Sequence, residues 1–168
     1  MTLAEVNGIE EKPFVGALGG IFEHSPWVAE RAFSDRPFAS VDALHAAMVA
    51  VVARAPESEQ LALLRAHPEL AGKALTRGEL TVDSRKEQSG AGLSQCSPEE
   101  FARLTELNRR YNLKFGFPFI LAVKGFDRAG ILREFARRVE QDRDVEFAES
   151  LAQIARITRF RLEALVTG

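Results

Sequence analysis

The sequence predicts an all-α protein, a single-domain and non-repeating bundle of about seven to nine helices. Apolar residues recur at helical spacing along most of the chain, and serines stand at several predicted helix starts. Only residues 114–125, KFGFPFILAVKG, have the composition of an extended segment, and a lone strand has no partner to pair with. The chain has 168 residues and no linker or internal repeat, so one domain over residues 1–168 is expected.

Three helices are predicted in the N-terminal half. Ser25 followed by Pro26 places an N-cap residue before a proline at the first helical position, where a missing N–H is tolerated. Two further helices are expected over residues 40–54 and 58–66. The GALGG segment at residues 16–20 is interpreted as a turn, because no phosphate-binding pattern accompanies it.

Four helices are predicted in the C-terminal half, the first a short one after Ser84. The sequence Ser97-Pro98-Glu99-Glu100 has the form of a capping box and opens a longer helix to about Tyr111. Residues 128–141 and 144–166 complete the set. In the last helix, residues at helical spacing form one apolar stripe, namely Leu151, Ile154, Ile157 and Leu165.

Composition excludes several classes of function. The formal net charge is -2, and charged residues make up 27% of the chain, so no nucleic-acid partner is indicated. The longest apolar runs are far shorter than the ~20 residues that cross a bilayer, and the acidic start is not a secretory leader, so no membrane association is expected. Cys96 is the only cysteine, which suits a cytoplasmic protein without disulfides.

His67 is the histidine best placed for chemistry. It ends a predicted amphipathic helix just before Pro68, which disfavours continued helix, so its ring could face a cleft or could bind the last carbonyls of its own helix. His24 and His45 stand alone, without the spacing of zinc ligands. No metal site is therefore expected.

The segment Ser84-Arg85-Lys86-Glu87 matches a capping box, in which serine and glutamate satisfy backbone donors reciprocally. Gln88, Ser89 and two glycines follow at once. These residues give a polar surface at a helix N-terminus, where an anionic ligand is favoured. The interpretation therefore assigns this segment both a cap and a binding surface.

Arg161 lies within the apolar stripe of the last helix, because a rotation of about 100° per residue places it between Ile154 and Leu165. Arg156 and Arg159 are predicted to face outward. A buried guanidinium needs an acceptor, since the unpaired burial of a charge is costly. Two interpretations stay open, an internal ion pair with a core carboxylate or a contact with a substrate.

Four segments of this sequence occur together, in this order, in one known family. They are FEHSPWVAERA at 22–32, HPELAGK at 67–73, SRKEQSGAGLS at 84–94 and NRRYNLKFGFPFILAVKG at 108–125. With the terminal IARITRFRL, they make the chain resemble the 2-oxo-4-hydroxy-4-carboxy-5-ureidoimidazoline (OHCU) decarboxylases, which form allantoin at the end of urate breakdown. The resemblance spans most of the chain and implies an all-helical homodimer that needs no metal and no organic cofactor.

The resemblance also implies the site residues. His67, Glu87 and Arg161 match the catalytic residues of the family, and no residue matches a metal ligand. Further residues match substrate-contacting positions: Pro68, Ser84, Gln88, Phe119, Ile120, Leu121, Ala122 and Val123. The implied partner is a small molecule, the ureidoimidazoline formed by urate oxidation. Two rival functions remain at this stage, a non-catalytic helical interaction module and a hydrolase of a ureido or imide ring.

Overall fold

The computed structural model describes residues 1–72 and 77–168. Over those residues the chain forms nine α-helices and two short 3-10 helices, with no strand, so the all-α prediction is confirmed. The chain divides into two compact units, which we call the terminal unit (Met1–Ala66 and Ile154–Gly168) and the central unit (His67–Gln153). The single-domain organisation stays a prediction. None of the described helices is long and apolar enough to cross a membrane.

The nine described helices are numbered in chain order. In order they are α1 (Leu3–Gly8), α2 (Glu11–Leu18), α3 (Trp27–Ala32), α4 (Val41–Arg54), α5 (Glu57–Ala66), α6 (Val82–Gly90), α7 (Pro98–Phe115), α8 (Arg128–Arg138) and α9 (Arg143–Leu165). The first five belong to the terminal unit and the next three to the central unit. The last helix, α9, contributes residues to both units. Lys73, which ends the HPELAGK segment, lies outside the described residues.

Two helices of the terminal unit, α1 and α2, were not predicted because both are short. Thr2 and Glu5 form a capping box at the start of α1. Helix α2 carries Pro13 in its first turn, where the N–H groups have no partner within the helix and a proline is therefore tolerated. The GALGG segment consequently begins inside α2, and the turn starts only at Gly19.

Serines precede two helices of the terminal unit, and one of them is a cap. The Ser40 hydroxyl accepts a hydrogen bond from Ala43 N and caps α4, which begins close to its predicted start. Ser25 does not cap α3: the N-cap residue is Pro26, and the Ser25 hydroxyl donates instead to the carbonyl of Glu23 at 2.9 Å. The prediction for Ser25 is wrong because its side chain stabilises the preceding turn.

The apolar stripe of α9 is confirmed for its middle portion and wrong at its end. Ile154 and Ile157 are buried, as is Leu162. Leu165 is 38% exposed and does not belong to the stripe. It is the last residue of α9, three positions beyond the buried Leu162.

In the central unit, the start of α7 is as predicted and the start of α6 is not. Ser97 and Glu100 form the expected capping box. The cap of α6 is Thr81, whose hydroxyl accepts from Ser84 N at 3.2 Å. Ser84 is therefore the third helical residue rather than the cap. Both Thr81 and Ser84 are residue types that cap helices, and Thr81, the earlier of the two, caps α6.

Residues 114–125 do not form a strand. Helix α7 ends at Phe115, and Gly116 closes it with a φ of 76°, a left-handed conformation that glycine adopts without strain. The segment from residue 117 to residue 123 is irregular and buried, and its phenylalanines join an aromatic cluster around Tyr111. This segment has the composition of a strand but no partner strand to pair with, and it forms a buried loop instead.

Candidate active site

His67 lies directly after α5, at the point where Pro68 prevents the helix from continuing. The residue is 7% exposed. Its Nε2 atom is buried and makes no hydrogen bond within residues 1–72 and 77–168, although the residue takes part in other interactions. The structure therefore places an ionisable ring in a largely dry environment at a junction between helix and loop.

The loop that follows His67 is held by amide side chains. Gln88 accepts a hydrogen bond from Ala71 N at 3.0 Å through Oε1 and donates to the carbonyl of Glu69 at 3.2 Å through Nε2. Asn108 donates to the carbonyl of Leu70 at 2.9 Å. Ala71 has a φ of 50°, which a residue with a side chain rarely adopts. These bonds keep the loop in a strained conformation that it would otherwise leave.

Ser84, Glu87 and Gln88 lie on one face of α6, since residues three and four apart are neighbours on a helix. Ser84 and Gln88 are buried, and Glu87 is half-buried. Because Thr81 is the cap, the assignment of Ser84 and Glu87 to a capping box is wrong. Gln88 and the residues after it lie at the C-terminal end of α6, where the helix dipole favours cations, so the predicted anion site at a helix N-terminus is wrong as well.

The five residues from Phe119 to Val123 form the buried apolar part of the central unit's loop. Side chains from other elements bind their backbone. Arg138 Nη1 donates to the carbonyl of Ile120 at 2.6 Å, and Gln153 Oε1 accepts from Ala122 N at 3.0 Å. The carbonyl of Ile120 and the N–H of Ala122 are therefore bound by side chains of α8 and α9 rather than by a sheet.

Arg138 is the centre of a fully buried polar cluster. Its guanidinium pairs with Glu146 through Nε at 2.7 Å and also donates to Ser150 Oγ at 3.2 Å. Tyr111 donates its hydroxyl to the same Glu146 carboxylate. Burial, with the hydrogen bond to Glu146, raises the pKa of Tyr111 well above its ordinary value, so the phenol stays protonated and acts as a donor.

Arg161 belongs to the terminal unit and is buried, as its position on α9 predicts. Nη1 donates to Glu23 Oε2 at 2.7 Å and to the carbonyl of Ile21 at 3.4 Å. Glu23 is 2% exposed. Arg159, by contrast, forms ion pairs at the surface with Asp42 and Glu163. Of the two interpretations of Arg161, the internal ion pair is therefore present, and its carboxylate is Glu23.

The other two histidines remain poor candidates for chemistry. His45 lies within α4, and its Nε2 is 3.1 Å from Thr158 Oγ1. Burial lowers the pKa of His45, which favours the neutral ring. Among the described residues there is no group of three or more His, Cys, Asp or Glu side chains that could hold a metal ion.

The predicted site residues thus fall into two groups. His67, Pro68, Ser84, Glu87, Gln88 and Phe119 to Val123 belong to the central unit, where Gln88 contacts the loop after His67 directly. Arg161 belongs to the terminal unit. Sequence reasoning missed Glu23, Asn108 and Gln153, whose partners are distant along the chain. Only Glu23 had a signal in the sequence, because a buried Arg161 needs an acceptor and a carboxylate can serve as one.

Comparison with known proteins connects this geometry to one family. A model of the protein family described as OHCU decarboxylase matches residues 7–163 of this chain. The 2-oxo-4-hydroxy-4-carboxy-5-ureidoimidazoline decarboxylase of Haloferax volcanii is 43% identical over 162 residues, which cover 96% of this chain and 94% of that protein. The mouse enzyme of the same name is 38% identical and covers 99% of this chain and 93% of its own length. A crystal structure of (S)-allantoin synthase superimposes with a TM-score of 0.79 and 28% identity, over 99% of this chain and 54% of that chain.

Proposed function

The chain belongs to the OHCU decarboxylase family, and from this we propose that it converts 2-oxo-4-hydroxy-4-carboxy-5-ureidoimidazoline stereospecifically to (S)-allantoin in urate catabolism. It is a carboxy-lyase. The observation that carries the assignment of a site is the strained loop after His67, which Gln88 clamps to the polar face of α6. The buried His67 precedes this loop, and the half-buried Glu87 lies on α6, which Gln88 hydrogen-bonds to the loop. Such fixed positions suit proton transfer.

The substrate itself supplies the electron sink for the reaction. Its ring carbon bearing the hydroxyl and the carboxylate stands next to an imine carbon. When the bond to the carboxylate breaks, carbon dioxide leaves and the electron pair moves toward the imine nitrogen, which takes up a proton. The product is an enol, which becomes allantoin when its hydroxyl loses a proton and the former imine carbon gains one. No organic cofactor is needed to hold the electrons.

We assign proton transfer to His67, which would accept the hydroxyl proton or deliver a proton to one face of the enol. A well-placed acid or base typically contributes roughly 10²–10⁴-fold to the rate. Glu87 would orient His67 or hold the hydroxyl and ureido groups. Because Glu87 is half-buried on α6, its carboxylate could accept hydrogen bonds from the protein and from a ligand.

The remaining substrate contacts are assigned by the polar groups that each residue offers. Within the described residues, Gln88 uses its carbonyl oxygen and one N–H to hold the loop after His67, so its second N–H suits a ring carbonyl of the substrate. Ser84 lies one turn before it on the same face. Pro68 and the segment from Phe119 to Val123 would supply apolar walls and backbone groups around the ring.

Arg161 would orient the substrate through carbonyl or ureido oxygens as well as through the carboxylate. A tight clamp on the departing carboxylate alone would stabilise the ground state more than the transition state, because the negative charge is most concentrated before the bond breaks. A planar fork of donors instead fixes the orientation of the ring.

Replacement of His67 tests the proposal. His67→Asn should leave the fold intact, as judged by circular dichroism, and should lower the enzymatic rate by roughly 10²–10⁴-fold. Because the substrate decays spontaneously in the chemistry that the family resemblance implies, the decisive readout is the chirality of the allantoin. A variant that still forms one enantiomer at the parent rate would remove His67 from the mechanism.

The role of Glu87 can be separated from helix capping, because the cap belongs to Thr81. Glu87→Gln should keep the melting temperature and lose most of the turnover, since it removes the charge that we propose orients His67 or holds the substrate. Thr81→Ala is the matched control: it should cost ~0.5–2 kcal/mol of stability, the range for a lost N-cap, and retain turnover. A fully active glutamine variant would reduce Glu87 to a structural residue.

The reaction should need no metal. Exhaustive dialysis against a chelator should leave the rate and the enantiomeric purity unchanged. The three histidines and the single cysteine of this chain do not provide a recognisable zinc motif. Loss of turnover that added zinc restores would contradict a cofactor-free mechanism.

We also propose that the protein is a cytoplasmic homodimer, as the family resemblance implies. Large apolar side chains that a second copy could cover are exposed in the central unit, among them Val82 at 81% and Leu113 at 75%. The single cysteine suits a reducing compartment. Sedimentation equilibrium should give twice the chain mass, and cell fractionation should place the activity in the cytosol. A monomer at every concentration would contradict the proposed homodimer. Activity in the membrane fraction would contradict the cytoplasmic location.

A further inference from the structure

The ion pair between Arg161 and Glu23 is one of the most buried charged contacts of the terminal unit. The two side chains are 4% and 2% exposed, and Nη1 lies 2.7 Å from Oε2. The same Nη1 reaches the carbonyl of Ile21 at 3.4 Å. Two backbone positions separate these acceptors, so one short segment provides both a charge and a dipole for the arginine.

The segment that carries Glu23 has a specific shape. His24 has a φ of 47°, the left-handed conformation that residues with side chains seldom adopt. Ser25 holds the turn through its hydroxyl, which donates to the carbonyl of Glu23, and through its N–H, which donates to Phe22 O at 3.1 Å. The turn between α2 and α3 is thus fixed on both sides of Glu23, and the carboxylate is presented by a rigid backbone.

A buried ion pair is a poor way to gain stability. The removal of two charges from water costs several kcal/mol per ion, and apolar side chains of similar volume often replace such a pair without loss. The strained turn adds a further cost. An arginine that contacts an anionic substrate, however, gains a specific benefit from a neutralising partner, because the pair has no net charge while the guanidinium keeps its planar donors.

We propose that Glu23 is a positioning residue for the reaction: it fixes the guanidinium of Arg161 and cancels its charge, so that Arg161 orients the substrate without trapping the carboxylate. This inference rests on the proposed function, in which Arg161 contacts the substrate. An uncompensated Arg161 would bind the carboxylate of the ground state most strongly, and that binding would be lost as carbon dioxide departs. Glu23 therefore lowers the affinity for the ground state and raises the rate of the chemical step.

The charge balance can be measured with two ligands that differ in charge. Allantoin is neutral, and hydantoin-5-acetate carries a carboxylate on a related ring. In Glu23→Gln the ratio of their Kd values should shift toward hydantoin-5-acetate by about tenfold or more, because the positive charge of Arg161 is no longer cancelled. KM should fall or stay constant while kcat falls. Glu163→Gln, which removes an exposed carboxylate from the pair with Arg159 on the same helix, should change neither quantity.

Other variants keep the test decisive if Glu23→Gln does not fold. Arg161→Gln leaves Glu23 uncompensated and should shift the ratio in the opposite direction, away from hydantoin-5-acetate. Adding Glu23→Gln to it makes a neutral pair and should restore the parent ratio within about threefold, since neither pair carries a net charge. Glu23→Asp keeps the charge and should lower kcat without a shift in the ratio.

The outcomes separate the inference from the function on which it rests. If the parent protein forms (S)-allantoin but the Kd ratio stays constant in Glu23→Gln, or Arg161→Gln leaves the ratio at its parent value, then Glu23 has only a structural role and the inference is overturned. If the parent protein neither binds allantoin nor releases carbon dioxide from the substrate, the proposed function fails first, whatever the variants do.

Discussion

The protein contains two buried arginine–glutamate pairs that have different surroundings. Arg138, in the central unit, is fully buried and divides its donors among Glu146, Ser150 and the carbonyl of Ile120. Its guanidinium also lies 4.5 Å from the centre of the Phe119 ring. Arg161, in the terminal unit, is 7% exposed and pairs with Glu23 from a loop.

The comparison shows that burial of an arginine does not by itself mark a catalytic residue. Ile131, Phe135 and Arg138 recur at helical spacing on α8 and are all buried, so the logic that selected Arg161 applies equally to Arg138. The donors of Arg138 bind two side chains and the backbone of the loop at residues 119–123, as expected of a residue that orders this loop. Each pair can be tested for stability and for catalysis separately.

The largest expected effect is on stability, in the Arg138 pair. Arg138→Met leaves the Glu146 carboxylate buried without its cation and should lower the free energy of unfolding by about 3–5 kcal/mol, measured by urea denaturation. The double variant Arg138→Met with Glu146→Leu removes both charges and should recover most of that loss. A loss below ~1 kcal/mol in the single variant would mean that Glu146 is not left as an uncompensated buried charge.

Arg161→Lys should have the opposite profile. Lysine keeps the charge opposite Glu23, so the melting temperature should change little, but it lacks the planar donors that orient a substrate. The expected loss in kcat is roughly 10–100-fold, the scale of a misplaced catalytic contact. Arg159→Lys is the control on the exposed face of the same helix and should keep parent kinetics. Equal losses in both variants would contradict the distinction between the two faces of α9.

The smallest expected effect concerns the loop that the Arg138 cluster supports. Gln153→Met removes the acceptor of Ala122 N and should cost about 1 kcal/mol of stability. If residues 119–123 bind the substrate, KM should rise a few-fold while kcat stays near the parent value. Gln60→Met, which removes a hydrogen bond to Val52 O in the terminal unit, should cost similar stability without a change in KM. An unchanged KM in Gln153→Met would place this loop outside the site.

Local sequence was sufficient where one pattern dominated and failed where two competed. The box at Ser97 and Glu100 was predictable because no other capping residue lies nearby. Near α6, Ser84 with Glu87 matches a capping box better than Thr81 does, yet Thr81 is the cap. A cap contributes only about 1 kcal/mol. Thr81 caps the helix three residues earlier, and Ser84 and Gln88, one turn apart, are both buried.

The sequence by itself determined the helical class, the burial of Arg161 and the need of that arginine for an acceptor, because helical periodicity and the cost of an unpaired charge are local properties. Only the tertiary structure decided that an internal carboxylate accepts from it: Glu23 lies 138 positions away along the chain. It also decided that Arg138 and Gln153 hold the backbone of residues 119–123. Such partners are chosen by packing between distant segments, and no spacing within one helix or loop encodes that choice.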